Sequence, residues 1–523
     1  MAINGQDIQY GPWTGGVWYS KPEEDVREDE LSSMENVRIQ AAGACEKRPG
    51  TVSYKSADNI ATDPTVTMLA EFVVPPSTTY VVMVCDTVFY LYSGGWSDIT
   101  NGLTITAGDD NTFEWAVDEG TGVLMMTNNV DVPIKYGGPN KDFGGGAGIP
   151  AVVDVDSRFT TAEHVAHWDN RAWWGNVDTN YDRLWYTDIG DIDTVGATSF
   201  YQFGHPITAL VTTRNALTVH TTGGIFTMIP TGNSQIPYQQ QQRTSRAAIN
   251  GRANVVLPGD IQLILRKDGI YQWDGGDDLE KKSFALDLGY WPELVTDRLS
   301  QAFAVYYPLE AEAWFWLPYG TSQTEMNHIM VYSQRHDCWF GPYTGSTSHF
   351  FRNCAALVDQ KPHAGTLSTS GDIGGKIEDH APVNVYNDDD DTAGGTAIRS
   401  YFRTGAPAPS GSAQRIRWLH TRTYYVSTGN YDVTVTQESS GVSGTTETVN
   451  MAGGGFLLDT DKTDEGELGT VRMLAQDTDL SEYDPHSSLK YTNNSIDQLF
   501  RIRRCHPVFK VLGRKRRVTA GVS

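Results

Sequence analysis

Two histidines and an aspartate lie close together in the segment HVAHWD, at His164, His167 and Asp169. Imidazole and carboxylate groups are common ligands of zinc. However, residues three positions apart on a strand face opposite sides of the sheet, so both rings could reach one metal ion only in a turn. We therefore interpret this segment as a histidine pair at a strand edge and predict no metal site.

Five aspartates crowd the following segment, DTNYDRLWYTDIGDID. Carboxylates at this density could bind calcium, but their spacing does not match the EF-hand loop, and the terminal Glu of that loop is missing. Asp side chains also accept hydrogen bonds from backbone N–H groups two residues ahead, which forms Asx-turns. The pattern favours such turns at strand ends, formed by Asp178, Asp182, Asp188, Asp191 and Asp193.

Motifs that would identify an enzyme are missing from the sequence: it contains no GxSxG elbow, HExxH pair, Walker loop or strand-linked GxGxxG. Ser370, Asp372 and Gly374 match the first part of the Asp-box hairpin of sialidase-like propellers, but Ile377 stands where an aromatic residue is expected. One degenerate copy indicates a propeller hairpin and not glycosidase chemistry. We predict no enzymatic activity, no cofactor and no catalytic residues.

Aromatic residues cluster at positions 173–174 and 314–316, which read WW and WFW. Such side chains could stack on sugar rings or line an interface. On a strand, half of them must point into the core instead. We interpret these clusters mainly as core residues.

Composition and charge narrow the function classes. The chain has 523 residues, with 64 Asp and Glu against 40 Lys and Arg, for a net charge of −24. A surface of this sign repels nucleic acid and anionic membranes, so a conventional nucleic-acid binder is not expected. The longest apolar run, residues 80–92, contains Asp86 and is too short to span a bilayer, so we expect no membrane span.

The cysteines and the N-terminus indicate the cellular compartment in which the protein folds. The opening MAINGQDIQYGPW has neither the basic start nor the apolar core of a signal peptide, which predicts synthesis and folding in a cytosol. Five cysteines are odd in number and form no CxxC pair, so we predict free thiols. They are Cys45, Cys85, Cys338, Cys354 and Cys505.

Short runs of β-branched and aromatic residues, separated by Gly and Asn turns, recur along most of the chain and predict an all-β protein. Residues 64–380 contain most of these runs. Dividing that length by the roughly 40–50 residues of a four-stranded blade gives about seven blades. We predict a β-propeller over 64–380, with residues 1–63 as an N-terminal arm that packs on it or completes a blade.

Beyond residue 380 the pattern changes to longer alternating strands, as in RIRWLHTRTYYV from Arg415. We predict a second β-domain over 381–523, sandwich-like in architecture, introduced by the acidic loop NDDDDTAGGT. This domain closes with a basic run of eight Lys and Arg. The run consists of Arg501, Arg503, Arg504, Lys510, Arg514, Lys515, Arg516 and Arg517.

One stretch, residues 15–50, carries a family resemblance. It combines a GG opening, an acidic segment that leads into NV, and a closing KRPG; the matching residues are Gly15, Gly16, Glu30, Leu31, Met34, Asn36, Val37, Gly43, Lys47, Arg48, Pro49 and Gly50. This pattern resembles the start of the tail nozzle proteins of short-tailed bacteriophages, also called DNA-stabilisation or tail tubular proteins. YDRLWYTDIGD from Tyr181 and the strands from Ile207 are similar to propeller strands of the same family.

The resemblance implies a structural virion protein. Copies of such a protein, typically six, form a ring at the distal end of the tail tube, contact tail adaptor and tail fibre proteins, and let the genomic DNA pass without specific binding. We expect the acidic loop Asp388, Asp389, Asp390 and Asp391 to face the lumen or its distal mouth, where carboxylates repel DNA phosphates. The basic run is then expected on an outer or inter-subunit surface. Two alternatives stay open: a carbohydrate-binding or glycoside-hydrolysing propeller, and a tail fibre or receptor-binding propeller.

Overall fold

The computed structural model describes residues 8–55, 64–100, 102–139, 153–155, 159–233, 236–345, 350–368, 375–388, 395–406, 414–439, 442–452, 473–480 and 487–514. Within these ranges the chain is nearly all β, and its helical segments are short 3-10 turns. Those turns are Glu23–Asp25, Ser283–Leu286, Trp291–Glu293 and Thr296–Gln301. The predicted all-β fold is confirmed.

Five short strands come before the propeller. They are β1 Gly16–Val17, β2 Glu30–Glu35, β3 Val37–Ile39, β4 Cys45–Lys47 and β5 Val52–Ser53. Only β5 joins a propeller sheet, whereas β1 to β4 belong to two other sheets.

Seven four-stranded antiparallel sheets follow in the described residues, and they form the propeller blades. Blade 1 contains β6 Val66–Val74, β7 Thr78–Cys85, β8 Val88–Tyr92 and β9 Trp96–Asp98. Blade 2 contains β10 Glu114–Asp118, β11 Val123–Thr127, β12 Ile134–Tyr136 and β13 Val153–Asp154. Blade 3 contains β14 Ala162–Trp168, β15 Arg171–Val177, β16 Asn180–Thr187 and β17 Val195–Gln202. Blade 4 contains β18 Ile207–Thr212, β19 Leu217–Thr221, β20 Gly224–Asn233 and β21 Ile236–Thr244. Blade 5 contains β22 Val255–Leu257, β23 Ile261–Arg266, β24 Gly269–Trp273 and β25 Glu280–Lys281.

Blades 6 and 7 complete the ring. Blade 6 contains β26 Phe303–Tyr307, β27 Glu312–Leu317, β28 His328–Ser333 and β29 Cys338–Tyr343. Blade 7 contains β30 Arg352–Val358, β31 Lys361–Thr366 and β32 Ile377–Asp379, with β5 as its fourth strand. Ser53 pairs with Glu378, and Val52 pairs with Asp379. The inner strand β30 also contacts β6 of blade 1. The propeller is therefore closed both by its inner strands and by a strand from the N-terminal arm.

Turn residues allow the tight hairpins that the blades need. Asp169 and Asn170 between β14 and β15 both have positive φ, as do Asp359 and Gln360 between β30 and β31. Two consecutive residues with positive φ form the type I′ turn, whose twist matches that of a hairpin. Asp and Asn tolerate this conformation better than most side chains.

The second domain is built from both ends of the described chain. Its remaining strands are β33 Asn387–Asp388, β34 Thr396–Ala397, β35 Ser400–Thr404, β36 Gln414–Val426, β37 Asp432–Ser439, β38 Val442–Asn450, β39 Met473–Thr478, β40 Ser487–Asn493 and β41 Arg501–Arg514. One sheet has the order β1-β2-β35-β40-β37-β38, and the other has the order β3-β4-β41-β36-β39. Phe402 and Tyr491 of the first sheet share a core with Ile502 of the second, so the two sheets pack as a sandwich.

The N-terminal arm packs on the propeller and completes blade 7 through β5, but its other strands join the sheets of the second domain. Its strands β1, β2 and β3 contact β29 of blade 6, but they hydrogen-bond to strands of the second domain. The arm therefore lies between the two domains and belongs structurally to both.

Candidate functional site

The inner strands of the seven blades surround a central channel. At one mouth lies a cavity of about 1280 Å³, bordered by the turns that follow the inner strands of blades 1 to 4. Pro75, Gly120, Asn170 and Arg214 come from those four turns. Deeper in the channel is a second cavity of about 490 Å³.

The walls of the deeper cavity combine apolar, aromatic and charged groups. Glu71, Trp115, Arg252 and Asn254 contribute to it. The Arg252 guanidinium donates to the carbonyl oxygens of Gln301 at 2.7 Å and Asn353 at 3.3 Å. Burial lowers the pKa of Arg252 even though Glu114 lies nearby. The cavity could hold a small polar molecule, but the four side chains form no recognisable acid, base and nucleophile set.

The three residues of HVAHWD each have a different partner. His164 is buried on β14, and its Nδ1 lies 3.0 Å from Oε2 of Glu114. His167 faces the channel mouth, with its Nε2 3.5 Å from Oδ1 of Asp118. Asp169 accepts a hydrogen bond from the Tyr238 hydroxyl at 2.6 Å. Within the described residues, no group of three or more His, Cys, Asp or Glu is arranged to hold a metal ion.

The pKa values of the two histidines move in opposite directions. Burial acts to lower the pKa of His164, but the charge and hydrogen bond of Glu114 outweigh it and raise the pKa to about 9. Burial lowers the pKa of His167, and the nearby Asp118 and Glu119 only partly oppose this shift. A protonated His164 therefore links the inner strands of blades 2 and 3 by a buried ion pair with Glu114.

The five aspartates of the next segment differ in role, and Asp182 lies on β16, where it accepts a hydrogen bond from Nε2 of Gln202 at 2.9 Å. Oδ1 of Asp191 accepts from the backbone N–H groups of Asp193 at 2.8 Å and Thr194 at 3.2 Å, which is the predicted Asx-turn. Asp178 instead accepts from the backbone of Thr160 at 2.9 Å and Thr161 at 2.8 Å, so it holds a different loop. Asp193 forms an ion pair with Lys135.

Asp388 does not face a lumen as a free carboxylate, so this part of the acidic-loop prediction is wrong. It is buried, and its two oxygens accept from the Arg48 guanidinium at 2.8 and 2.6 Å. A buried cation requires a partner of opposite charge, and this aspartate provides it. Asp389, Asp390 and Asp391 lie outside the described residues.

Arg48 joins three parts of the molecule. Its Nε donates to Oδ1 of Asn36 at 2.7 Å, and its Nη2 donates to the carbonyl oxygen of Thr344 at 2.9 Å. Asn36 lies between β2 and β3 of the second domain, Thr344 follows blade 6, and Asp388 lies on β33. The guanidinium carbon of Arg48 also lies 5.1 Å from the ring centre of Phe350. Sequence reasoning recognised Arg48 as part of a motif but gave no sign of these partners.

The glycines of the same motif are needed for close backbone contacts. A Cβ atom on Gly50 would lie 1.8 Å from the carbonyl oxygen of Asn387. Gly16 has a φ of +71°, and a Cβ atom there would lie 2.5 Å from the carbonyl oxygen of Trp339 in blade 6. These residues therefore determine how the arm packs on its neighbours.

The basic run occupies β41 and the residues after it. Arg501 pairs with Glu46 on the neighbouring β4, and the Arg504 guanidinium lies over the ring of Tyr424 at 4.4 Å. Arg503 is exposed. The side chains of Lys510 and Arg514 are not described, and Lys515, Arg516 and Arg517 lie outside the described residues, as do Ser370, Asp372 and Gly374 of the Asp-box segment. Among the described side chains of the run, Arg501 and Arg504 thus have partners within their own domain.

The channel residues were missed by sequence reasoning. The signal was present in the inner strand of blade 7, RNCAALV, where buried residues alternate with half-exposed ones that face the channel. The same alternation occurs in β18. Recognising it requires knowing that the first strand of each blade is the innermost one.

Comparisons with known proteins find structural similarity at low identity. No family model matches the chain, and no curated protein matches it. The β-propeller domain of Cps50 (Swd1) from Myceliophteria thermophila is similar at 13% identity and a TM-score of 0.39, over 64% of this chain and 100% of that one. The CNH domain of AfRom2 is similar at 10% identity and a TM-score of 0.38, over 64% and 98%.

A third similar structure aligns with a larger share of this chain. The exo-β-1,3-galactanase of Phanerochaete chrysosporium aligns at 10% identity and a TM-score of 0.27, over 88% of this chain and 99% of that one. At such identities the likeness concerns the fold alone. The chain's own sheet topology is that of a β-propeller with an additional β-domain.

Proposed function

We propose that this protein is a structural component of a bacteriophage tail, a nozzle subunit that assembles into a ring around the path of the ejected genome. The main support is the position of the residues that carry the family resemblance. Gly16, Arg48 and Gly50 lie at the junction of the propeller and the second domain, and each has a specific contact there. The motif thus fixes the relative position of two domains, as a rigid tube subunit requires.

Two further observations agree with a structural role. The described residues include many buried ion pairs that join distant segments, such as Arg38 with Glu312 at 2.9 Å between the second domain and blade 6. The net charge of −24 suits a protein that DNA must pass without adhering. No helix in the described part of the chain has the length and apolar character needed to cross a membrane.

The decisive experiment is the mass of the assembled protein. Multi-angle light scattering of the full chain, alone and with its tail partners, should show a ring whose mass is a multiple of 57.7 kDa. Electron micrographs of that fraction should show a central opening. A single chain under every condition would refute the nozzle.

A second candidate function is carbohydrate binding in the central channel. The mouth cavity places Trp115 and Trp168 near Glu71 and Asp169, and aromatic faces with carboxylates are groups that bind sugars. The test is binding of an oligosaccharide panel to the wild type and to Trp115→Ala, with Trp96→Ala on the outer strand β9 as the matched control. Binding lost only in Trp115→Ala supports this candidate, and no binding by the wild type refutes it.

A further inference from the structure

Blades 3 and 4 end in unusually long outer strands. β17 has 8 residues and β21 has 9, whereas the outermost strands of the other five blades have 2 to 6. Within the described residues, β17 pairs only with β16, and β21 pairs only with β20. The outer edge of such a strand is a place where a strand of another chain can add to the sheet.

These strands lie in a region almost without charge. Residues 195–242 contain one charged side chain in 48 positions, although charged residues make up 20% of the chain and about ten would be expected. The single one, Arg214, is in the turn at the channel mouth. β21 continues to Thr244 and so also carries Arg243, but neither β17 nor β21 contains an Asp or Glu. Proteins ordinarily protect open edges with charged side chains or proline, and β21 has one of each near its ends, Arg243 and Pro237. Here Gln239, Gln240, Gln241 and Gln242 are exposed and neutral.

The two outer strands form one continuous surface. The backbone N–H of Tyr238 donates to the hydroxyl of Tyr201 at 3.0 Å, and Nε2 of Gln240 donates to the carbonyl oxygen of Gln202 at 3.2 Å. Ile236 at the start of β21 is 60% exposed. We call the surface formed by β17 and β21 the neutral edge.

We propose that the neutral edge is the surface through which one copy of this chain docks on the next copy in a ring. This inference rests on the proposed nozzle function. Copies that each carry a charge of −24 repel one another, and the repulsion is least where a surface carries no carboxylates. A contact between two identical edges gives a two-fold dimer, so a ring needs two different surfaces to meet. The neutral edge therefore contacts a different face of the neighbouring copy.

The test uses substitutions that change charge but hardly change shape. Gln239→Glu combined with Gln241→Glu adds two negative charges to the neutral edge of each copy. The matched control, Gln360→Glu combined with Asn494→Asp, adds the same two charges at exposed positions elsewhere. Circular dichroism and the thermal midpoint should be the same for both variants and the wild type, which verifies folding.

Light scattering then gives the outcome. We expect the neutral-edge variant to shift from ring to single chains of 57.7 kDa, and the control to remain a ring. At about 1 M salt, where the screening length falls to roughly 3 Å, the variant should assemble again. A variant that assembles like the wild type, or a control that also dissociates, would overturn the neutral edge while leaving the ring in place. A wild type that is only a single chain or a dimer would overturn both proposals.

Discussion

Asp388→Asn should destabilise the folded protein although it leaves the shape of the side chain nearly unchanged. In the wild type, the Asp388 carboxylate makes two hydrogen bonds with the Arg48 guanidinium, at 2.8 and 2.6 Å. The two side chains are only 12% and 2% exposed. The substitution removes the negative charge and leaves a buried cation beside a neutral amide.

The magnitude follows from what remains around Arg48. Removing one partner of a buried ion pair costs about 3–5 kcal/mol. Arg48 keeps three neutral acceptors, on Asn36, Pro49 and Thr344, at 2.7, 2.8 and 2.9 Å. The new amide can still accept one hydrogen bond. We therefore expect the lower end, a loss of about 3 kcal/mol in the free energy of unfolding, or roughly a hundredfold in the folding equilibrium.

Urea unfolding followed by tryptophan fluorescence measures this loss. Asp477→Asn is the matched control, because Asp477 binds Arg422 through two hydrogen bonds of 2.7 Å each but the pair is exposed to solvent. Water and salt screen such a pair, so the control should unfold like the wild type. If Asp388→Asn and the control behave alike, Asp388 is a solvated carboxylate after all and the interdomain role of Arg48 is refuted.

Three further outcomes can be checked. Gly50→Ala should destabilise the protein strongly, because the added Cβ would lie 1.8 Å from the carbonyl oxygen of Asn387. Gly95→Ala is the control and should not destabilise it, because the space around its Cβ position is open. Equal urea midpoints for the two variants would contradict this account. Glu114 raises the pKa of His164 to about 9, above the value near 6.5 in the unfolded chain. The ion pair therefore stabilises the fold fully below pH 6.5, and this stabilisation disappears as the pH rises through 9. The urea midpoint of the wild type should fall between these pH values, whereas the midpoint of His164→Asn should not show this fall. All five cysteines are buried, and burial raises the pKa of each thiol, so a thiol reagent should label none in the native protein and five after unfolding, whereas fewer than five would reveal a disulfide.

The blades could be predicted because their information is local. Strand, turn and return strand follow one another within about 40 residues, as in the hairpin around Asp169 and Asn170, where the type of residue indicates the turn. The Asx-turn at Asp191 was predictable for the same reason. Propeller architecture follows from counting such units.

The candidate interfaces could not be predicted because their partners are distant in sequence. Asp388 appears in DDDD, a run that is typical of a solvated loop, and nothing nearby indicates that Arg48 binds it from 340 positions away. Likewise, Glu46 on β4 pairs with Arg501, 455 positions later. Local patterns show which side chains are charged, but only the fold shows which charges become buried together.

The pairing of β5 with β32 has a consequence for biosynthesis. Val52 and Ser53 leave the ribosome long before Glu378 and Asp379, their partners in blade 7. At 5–20 residues per second, the interval is roughly 15–65 s. During that time β5 and the inner strand of blade 1 lack their neighbours, and the nascent chain exposes strand edges that can join wrong partners. A chain released early cannot close its propeller, so only translation through blade 7 yields a subunit with a complete ring of blades.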